Sequence, residues 1–140
     1  MITYNELKLK QQNEINAFPF GFAFSNRDFE DMKQKLPLDE GDKYYSLGAG
    51  TFVRGNDIPA MKEMFARHKR EVQELNKNKT ELYNGFIKEL YNHEYIYCED
   101  DETILRCFGY TTKDLETDKQ LYKIYTKAVN DYEKRVIETA

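Results

Sequence analysis

Met61, Phe65, His68, Val72 and Leu75 recur at intervals of four, three, four and three residues. That repeat keeps side chains on one stripe of an α-helix. A second stripe, Leu121, Tyr125, Ala128, Tyr132 and Val136, stands near the carboxyl end. Each stripe gives its helix one apolar side to bury against the rest of the fold. Shorter helices are predicted around them. Thr3 followed by Glu6 fits a capping box and starts a helix over Tyr4 to Ala17, which Pro19 ends. Ser25 with Asp28 repeats the signal before Phe29, Met32 and Leu36. Thr80 is expected to cap a helix with Leu82, Phe86, Ile87 and Leu90 inward, folded back on the preceding helix as a hairpin. A short helix is predicted over Thr103 to Phe108, ended by Gly109.

Four short runs read as strands. Phe20 to Phe24 alternates Phe with Gly or Ala, which places three rings on one face and predicts helices covering that face. Tyr44 to Leu47 and Thr51 to Arg54 flank Gly48-Ala49-Gly50, the pattern of a hairpin or a bent, bulged strand. Tyr95 to Cys98 completes the set. The fold class expected is therefore α+β: a single domain over residues 1–140, its small, mostly antiparallel sheet packed against about five helices. Strand order does not follow from the sequence.

With 140 residues, 11 Tyr and 9 Phe, the chain has ample core material and needs no staples to fold. Its net charge of −4 argues against nonspecific binding to nucleic acid, which cations drive by releasing counterions from phosphates. The basic run Arg67-His68-Lys69-Arg70 is interrupted by Glu63, Glu71 and Glu74, as on a solvated helix face. No stretch approaches the ~18 apolar residues of a spanning helix, and the first residues show neither a basic nor an apolar leader region, so the protein is expected in the cytoplasm, with no membrane partner. Cys98 and Cys107 lack the spacing of a zinc or redox motif and are read as reduced thiols.

Three sets of residues carry what chemistry the sequence offers. Gly48 and Gly50 resemble the start of a dinucleotide fingerprint, but Val53 stands where a third glycine belongs and no helix follows directly. The turn is first of all a hairpin; as a ligand site it would use Tyr44, Tyr45, Gly48, Gly50 and Arg54, with ring stacking and backbone amides toward a small molecule or nucleotide. His68, His93 and Glu94 form a conceivable metal-dependent hydrolase, against which stands the lack of any HExxH or HxxxH spacing. His68 in its apolar stripe reads more simply as a hydrogen-bonded core histidine. No serine or cysteine stands in an activating motif, so no catalytic residue and no cofactor are assigned. Finally, tyrosine is abundant, and Tyr91, Tyr95, Tyr97, Tyr110 and Tyr122 exceed what one small interior absorbs, which predicts an exposed aromatic patch for a protein partner.

Phe22-Ala23-Phe24-Ser25-Asn26, the run Lys43 to Arg54, and Asn92-His93-Glu94-Tyr95 resemble a family of small uncharacterised proteins from phages and plasmids of gut and related Firmicutes, over nearly the whole chain. No activity is established for that family, so the resemblance implies a setting and not a mechanism. Small proteins of such genomes often bind host factors, defence systems included. The functional expectation is a non-catalytic accessory protein of a phage or mobile element that binds a host or phage protein in the bacterial cytoplasm. A homodimer is compatible with the apolar stripes.

Overall fold

The capping box at the amino terminus forms as the residues require: the Thr3 amide donates to Glu6 Oε1 at 3.2 Å, and the Glu6 amide donates to Thr3 Oγ1 at 3.1 Å. The computed structural model describes residues 2–139. Along the chain run α1 (Tyr4–Ala17), β1 (Gly21–Phe22), α2 (Asn26–Lys35), β2 (Tyr44–Gly48), β3 (Thr51–Arg54), α3 (Ile58–Leu75), α4 (Lys79–Asn92), α5 (Tyr95–Cys98), α6 (Asp101–Arg106), α7 (Thr112–Thr117) and α8 (Lys119–Thr139). The fold is α+β, with one antiparallel sheet in the order β1-β3-β2 and eight helices among the described residues. The chain divides into two compact units, one drawn from residues 1–10 and 68–140 and the other from residues 11–67.

The first unit is helical. Its core joins Leu82, Phe86 and Leu90 of α4 to Leu121, Tyr125, Ala128 and Tyr132 of α8, with Tyr4, Ile104, Leu105 and Phe108 filling in. The cap of α4 is Asn78, whose side chain accepts from the Glu81 amide, and not the expected Thr80. Asn precedes the first helical residue, and its oxygen reaches the free amide three positions on.

Tyr95 to Cys98 is a helical turn and not a strand, a correction with a clear cause. Glu94 and Glu99 on either side of it take left-handed backbone angles, φ 52° and 49°, which close the turn. Tyr95 is drawn into the core, where its hydroxyl donates to Asp101 Oδ1 at 2.6 Å, and the Ile96 amide donates to the Tyr132 hydroxyl at 3.0 Å. These contacts override the strand propensity of Tyr-Ile-Tyr-Cys.

The second unit holds the sheet. Gly21 pairs with Phe52 and Phe22 with Thr51, while Tyr45 pairs with Val53 and Ser46 with Phe52. Alternation then sets Gly21, Phe52, Tyr44 and Ser46 on one face and Phe22, Thr51, Val53 and Tyr45 on the other. Helix α2 covers the first face: Phe29 packs 5.7 Å from the Tyr44 ring and 5.4 Å from the Phe52 ring. The expectation that helices cover the Phe side of residues 20–24 holds for Phe20, which stacks on Phe65 of α3 at 6.4 Å, and fails for Phe22 and Phe24, which are exposed. A Cβ at Gly21 would lie 2.4 Å from Met32 Sδ, so the bare side admits the helix closely while Phe22 and Phe24 turn outward. The regular strand shortens accordingly to Gly21–Phe22.

Ser25 caps α2 by accepting from the Asp28 amide, but Asp28 answers to the amide of Phe24 and not of Ser25. The β2–β3 hairpin turns on Ala49 and Gly50, with φ 51° and 75°, both positive as a type I′ turn demands. Ala49 is the costly member, since a left-handed alanine loses roughly 1–2 kcal/mol. Ala49→Asn is expected to raise the unfolding free energy by about 1 kcal/mol in urea titration, and no gain would contradict the turn.

The stripe on α3 also departs from expectation. His68 and Leu75 are buried, but Phe65 is exposed and Met64 takes its place inward. The first half of α3 belongs to the sheet unit and the second to the helical unit, so no single stripe governs its whole length.

Candidate functional site

At the outer side of β1 the sheet unit leaves a groove of about 460 Å³ lined by Phe20, Gly21, Phe22, Asp31, Met32 and Leu36, with Asp28 and Lys35 completing its wall. The groove lies beside β1, an edge strand only two residues long. Phe22 is 61% exposed and Phe24, whose ring lies over Gly50, is 78% exposed. Tyr45 and Leu47 on β2 are also exposed. Soluble domains seldom leave large rings open in a cluster unless something covers them.

The helical unit contains a second concentration of reactive groups. Glu89 and His93 stand four residues apart at the end of α4, hence on one helical face, and Cys107 closes α6. One ligand atom from each lies within 4.8 Å of the other two. His93 Nε2 is 3.7 Å from Glu89 Oε2 and 3.7 Å from Cys107 Sγ. Glu89 is buried, and its other oxygen, Oε1, accepts from Lys8 Nζ at 2.5 Å and Asn92 Nδ2 at 2.7 Å. Burial pushes the Glu89 carboxyl up, but the Lys8 and Asn92 hydrogen bonds, the Lys8 charge and the Cys107 thiol outweigh it and hold the carboxyl below its ordinary value. Burial first, and then the Glu89 charge, push the Cys107 thiol up to about 11.

This is not a nucleophile's setting. A thiol raised so far stays protonated at neutral pH. Moreover, both neighbours meet the same ring nitrogen, whereas a catalytic triad puts the nucleophile on one nitrogen and the orienting acid on the other. The three groups converge on a point instead of forming a relay.

A model of a family of unknown function, DUF7659, matches residues 3–131. The chain belongs to this family. The DUF7659 match takes in both the groove and the Glu89, His93 and Cys107 cluster. No curated protein and no solved structure matches the chain.

The residues singled out from the sequence are distributed as follows. Tyr44 faces α2, its hydroxyl donating to the Leu36 carbonyl. Arg54 donates through Nε to Asp57 at 2.8 Å and through NH1 to the Pro37 carbonyl at 3.0 Å, so it braces the loop before α3. Tyr45 lies on the opposite face of the sheet from Tyr44. Gly48 and Gly50 serve the hairpin with positive φ. Of the five tyrosines, Tyr95 is buried, Tyr110 half-buried, and Tyr91 exposed but edge-on to Tyr132 at 4.8 Å. Tyr97, at 85%, and Tyr122 are the open ones, so the set divides between core and surface. Part of the tyrosine surplus is internal: Tyr95 and Tyr125 both donate to Asp101 Oδ1.

Among the described residues neither His68 nor Glu94 joins the group around His93. The residues that sequence reasoning missed are Glu89, whose i,i+4 spacing to His93 was legible, and Cys107, which no local pattern ties to either. Phe22 and Phe24 were assigned to the core because alternation tells which residues share a face but not which face is covered.

Proposed function

We propose that this protein acts by binding a partner polypeptide along the edge of β1, as a non-catalytic accessory protein of a phage or mobile element that engages a host or phage protein in the bacterial cytoplasm. The observation that carries the reading is the groove beside β1, with the open Phe22 ring at its rim, the carboxylates of Asp28 and Asp31 in its wall, and the open Phe24 ring two residues further along the chain. Its apolar floor, Met32 and Leu36, suits an apolar side chain, and the two acids against the single Lys35 suit a neighbouring Lys or Arg. The partner is therefore a segment in which a large apolar residue stands beside a basic one. The phage or plasmid setting rests on the resemblance of residues 22–26, 43–54 and 92–95.

The test is affinity capture from the bacterial host with wild type, with the F22S/F24S double variant and with Asp31→Lys. The expected result is a protein retained by wild type, lost to F22S/F24S and weakened at least tenfold by Asp31→Lys, about the 1.4 kcal/mol of one desolvated charge contact. If all three retain the same proteins, the reading is wrong.

A further inference from the structure

We propose that Glu89, His93 and Cys107 form a binding site for one divalent transition-metal ion of the zinc class. This goes beyond the partner-binding reading and is independent of it, since every residue involved belongs to the helical unit.

The donor set is a carboxylate oxygen, an imidazole nitrogen and a thiol sulfur, the three protein ligand types that zinc takes. The spacing fits as well. A tetrahedral ion with bonds of about 2.0–2.3 Å holds its nitrogen, oxygen and sulfur ligands roughly 3.3–3.6 Å apart. The two separations from His93 Nε2 are both 3.7 Å. The third pair, Glu89 and Cys107, lies within 4.8 Å, so side-chain movement must draw the set together around the ion.

The surroundings have the form of an outer shell. Glu89 Oε1 is fixed by Lys8 and Asn92, which leaves Oε2 turned toward His93. Ligating carboxylates are commonly held through their second oxygen in this way. In the metal-free thiol Cys107 donates to the Thr103 carbonyl at 3.4 Å, a hydrogen bond given up when the thiol loses its proton to the metal site. On binding, the Cys107 S–H bond breaks, an S–metal bond forms and the proton goes to solvent. The +2 ion then meets one carboxylate and one thiolate, so the first shell is neutral. His93 is exposed, and the fourth coordination position faces water.

The experiment is titration of the full chain with Co²⁺, a spectroscopic substitute for Zn²⁺, followed by displacement with Zn²⁺. One equivalent of Co²⁺ is expected to produce a thiolate-to-metal charge-transfer band and four-coordinate visible bands, both erased by Zn²⁺. Cys107→Ser is expected to remove the charge-transfer band. His93→Gln is expected to weaken Co²⁺ binding beyond the roughly 100-fold range of outer-shell changes. Cys98→Ser is expected to leave both unchanged. Because His93 is exposed, its variant tests the site even if the Cys107 variant misfolds, which circular dichroism would show. Absence of a charge-transfer band at one equivalent, or its loss in Cys98→Ser with retention in Cys107→Ser, or binding indifferent to His93→Gln, would overturn the site.

Discussion

Phe86→Ala is expected to lower the unfolding free energy by about 3–5 kcal/mol, read from urea denaturation followed by tyrosine circular dichroism. Phe86 is fully buried, and its ring stands edge-on to Phe108 at 4.6 Å and to Tyr125 at 5.0 Å. Truncation removes the transfer energy of the ring and leaves a cavity that α4 and α8 close only in part. A domain of this size has roughly 5–15 kcal/mol in total, so the variant should sit near its melting point at moderate temperature. Phe24→Ala serves as the contrast: its exposed ring predicts a change within about 0.5 kcal/mol. Equal effects at the two positions would contradict the assignment of one ring to the core and the other to the surface.

Lys8→Met should cost about 2–3 kcal/mol near neutral pH, less than for a fully enclosed pair because the Lys8 ammonium is half-exposed. The loss falls on Glu89, whose buried carboxylate keeps Asn92, His93 and Cys107 as polar neighbours but loses its cation. The sign with pH follows from the depressed folded pKa of Glu89. In the wild type its ionised form adds stability that is present above the unfolded pKa and lost as pH falls through the folded value. In Lys8→Met the carboxylate has lost its cation, so the variant is penalised most where Glu89 is ionised. The stability gap between the two should therefore persist through the ordinary carboxylate range and narrow only as pH falls through the depressed folded pKa of Glu89 in the wild type, below which the carboxyl is protonated in both. Melting curves across that range measure it, and a gap independent of pH would show that the effect comes from lost packing alone.

Local signals in this sequence were accurate where one short-range interaction decides the outcome. The Thr3 and Glu6 box starts α1, and the predicted span Tyr4 to Ala17 is the observed one. The hairpin around Gly48 to Gly50 follows from glycine's tolerance of positive φ. Errors arose where a distant residue decides. Tyr95 to Cys98 has the composition of a strand, but Asp101 and Tyr132 claim its polar groups and two glutamates adopt left-handed angles that favour glycine. Residues 20–24 alternate as read, but packing decides how far each ring is covered: α2 closes on Gly21 and Phe65 meets Phe20, while Phe22 and Phe24 stay open. The same distinction holds for the reactive groups. Glu89 and His93 are neighbours by helical spacing alone, whereas Cys107 arrives through two intervening turns, invisible to any fixed motif.

The most direct test of partner binding places a photo-crosslinking phenylalanine analogue at Phe24, with the exposed Lys134 on α8 as the control position, in living cells that produce the protein. The expected result is a discrete adduct at Phe24 with a protein other than a second copy of this chain, absent at Lys134 and suppressed by Asp31→Lys. Adducts of the same pattern at both positions, or an adduct at Phe24 of only twice the chain's mass, would contradict it.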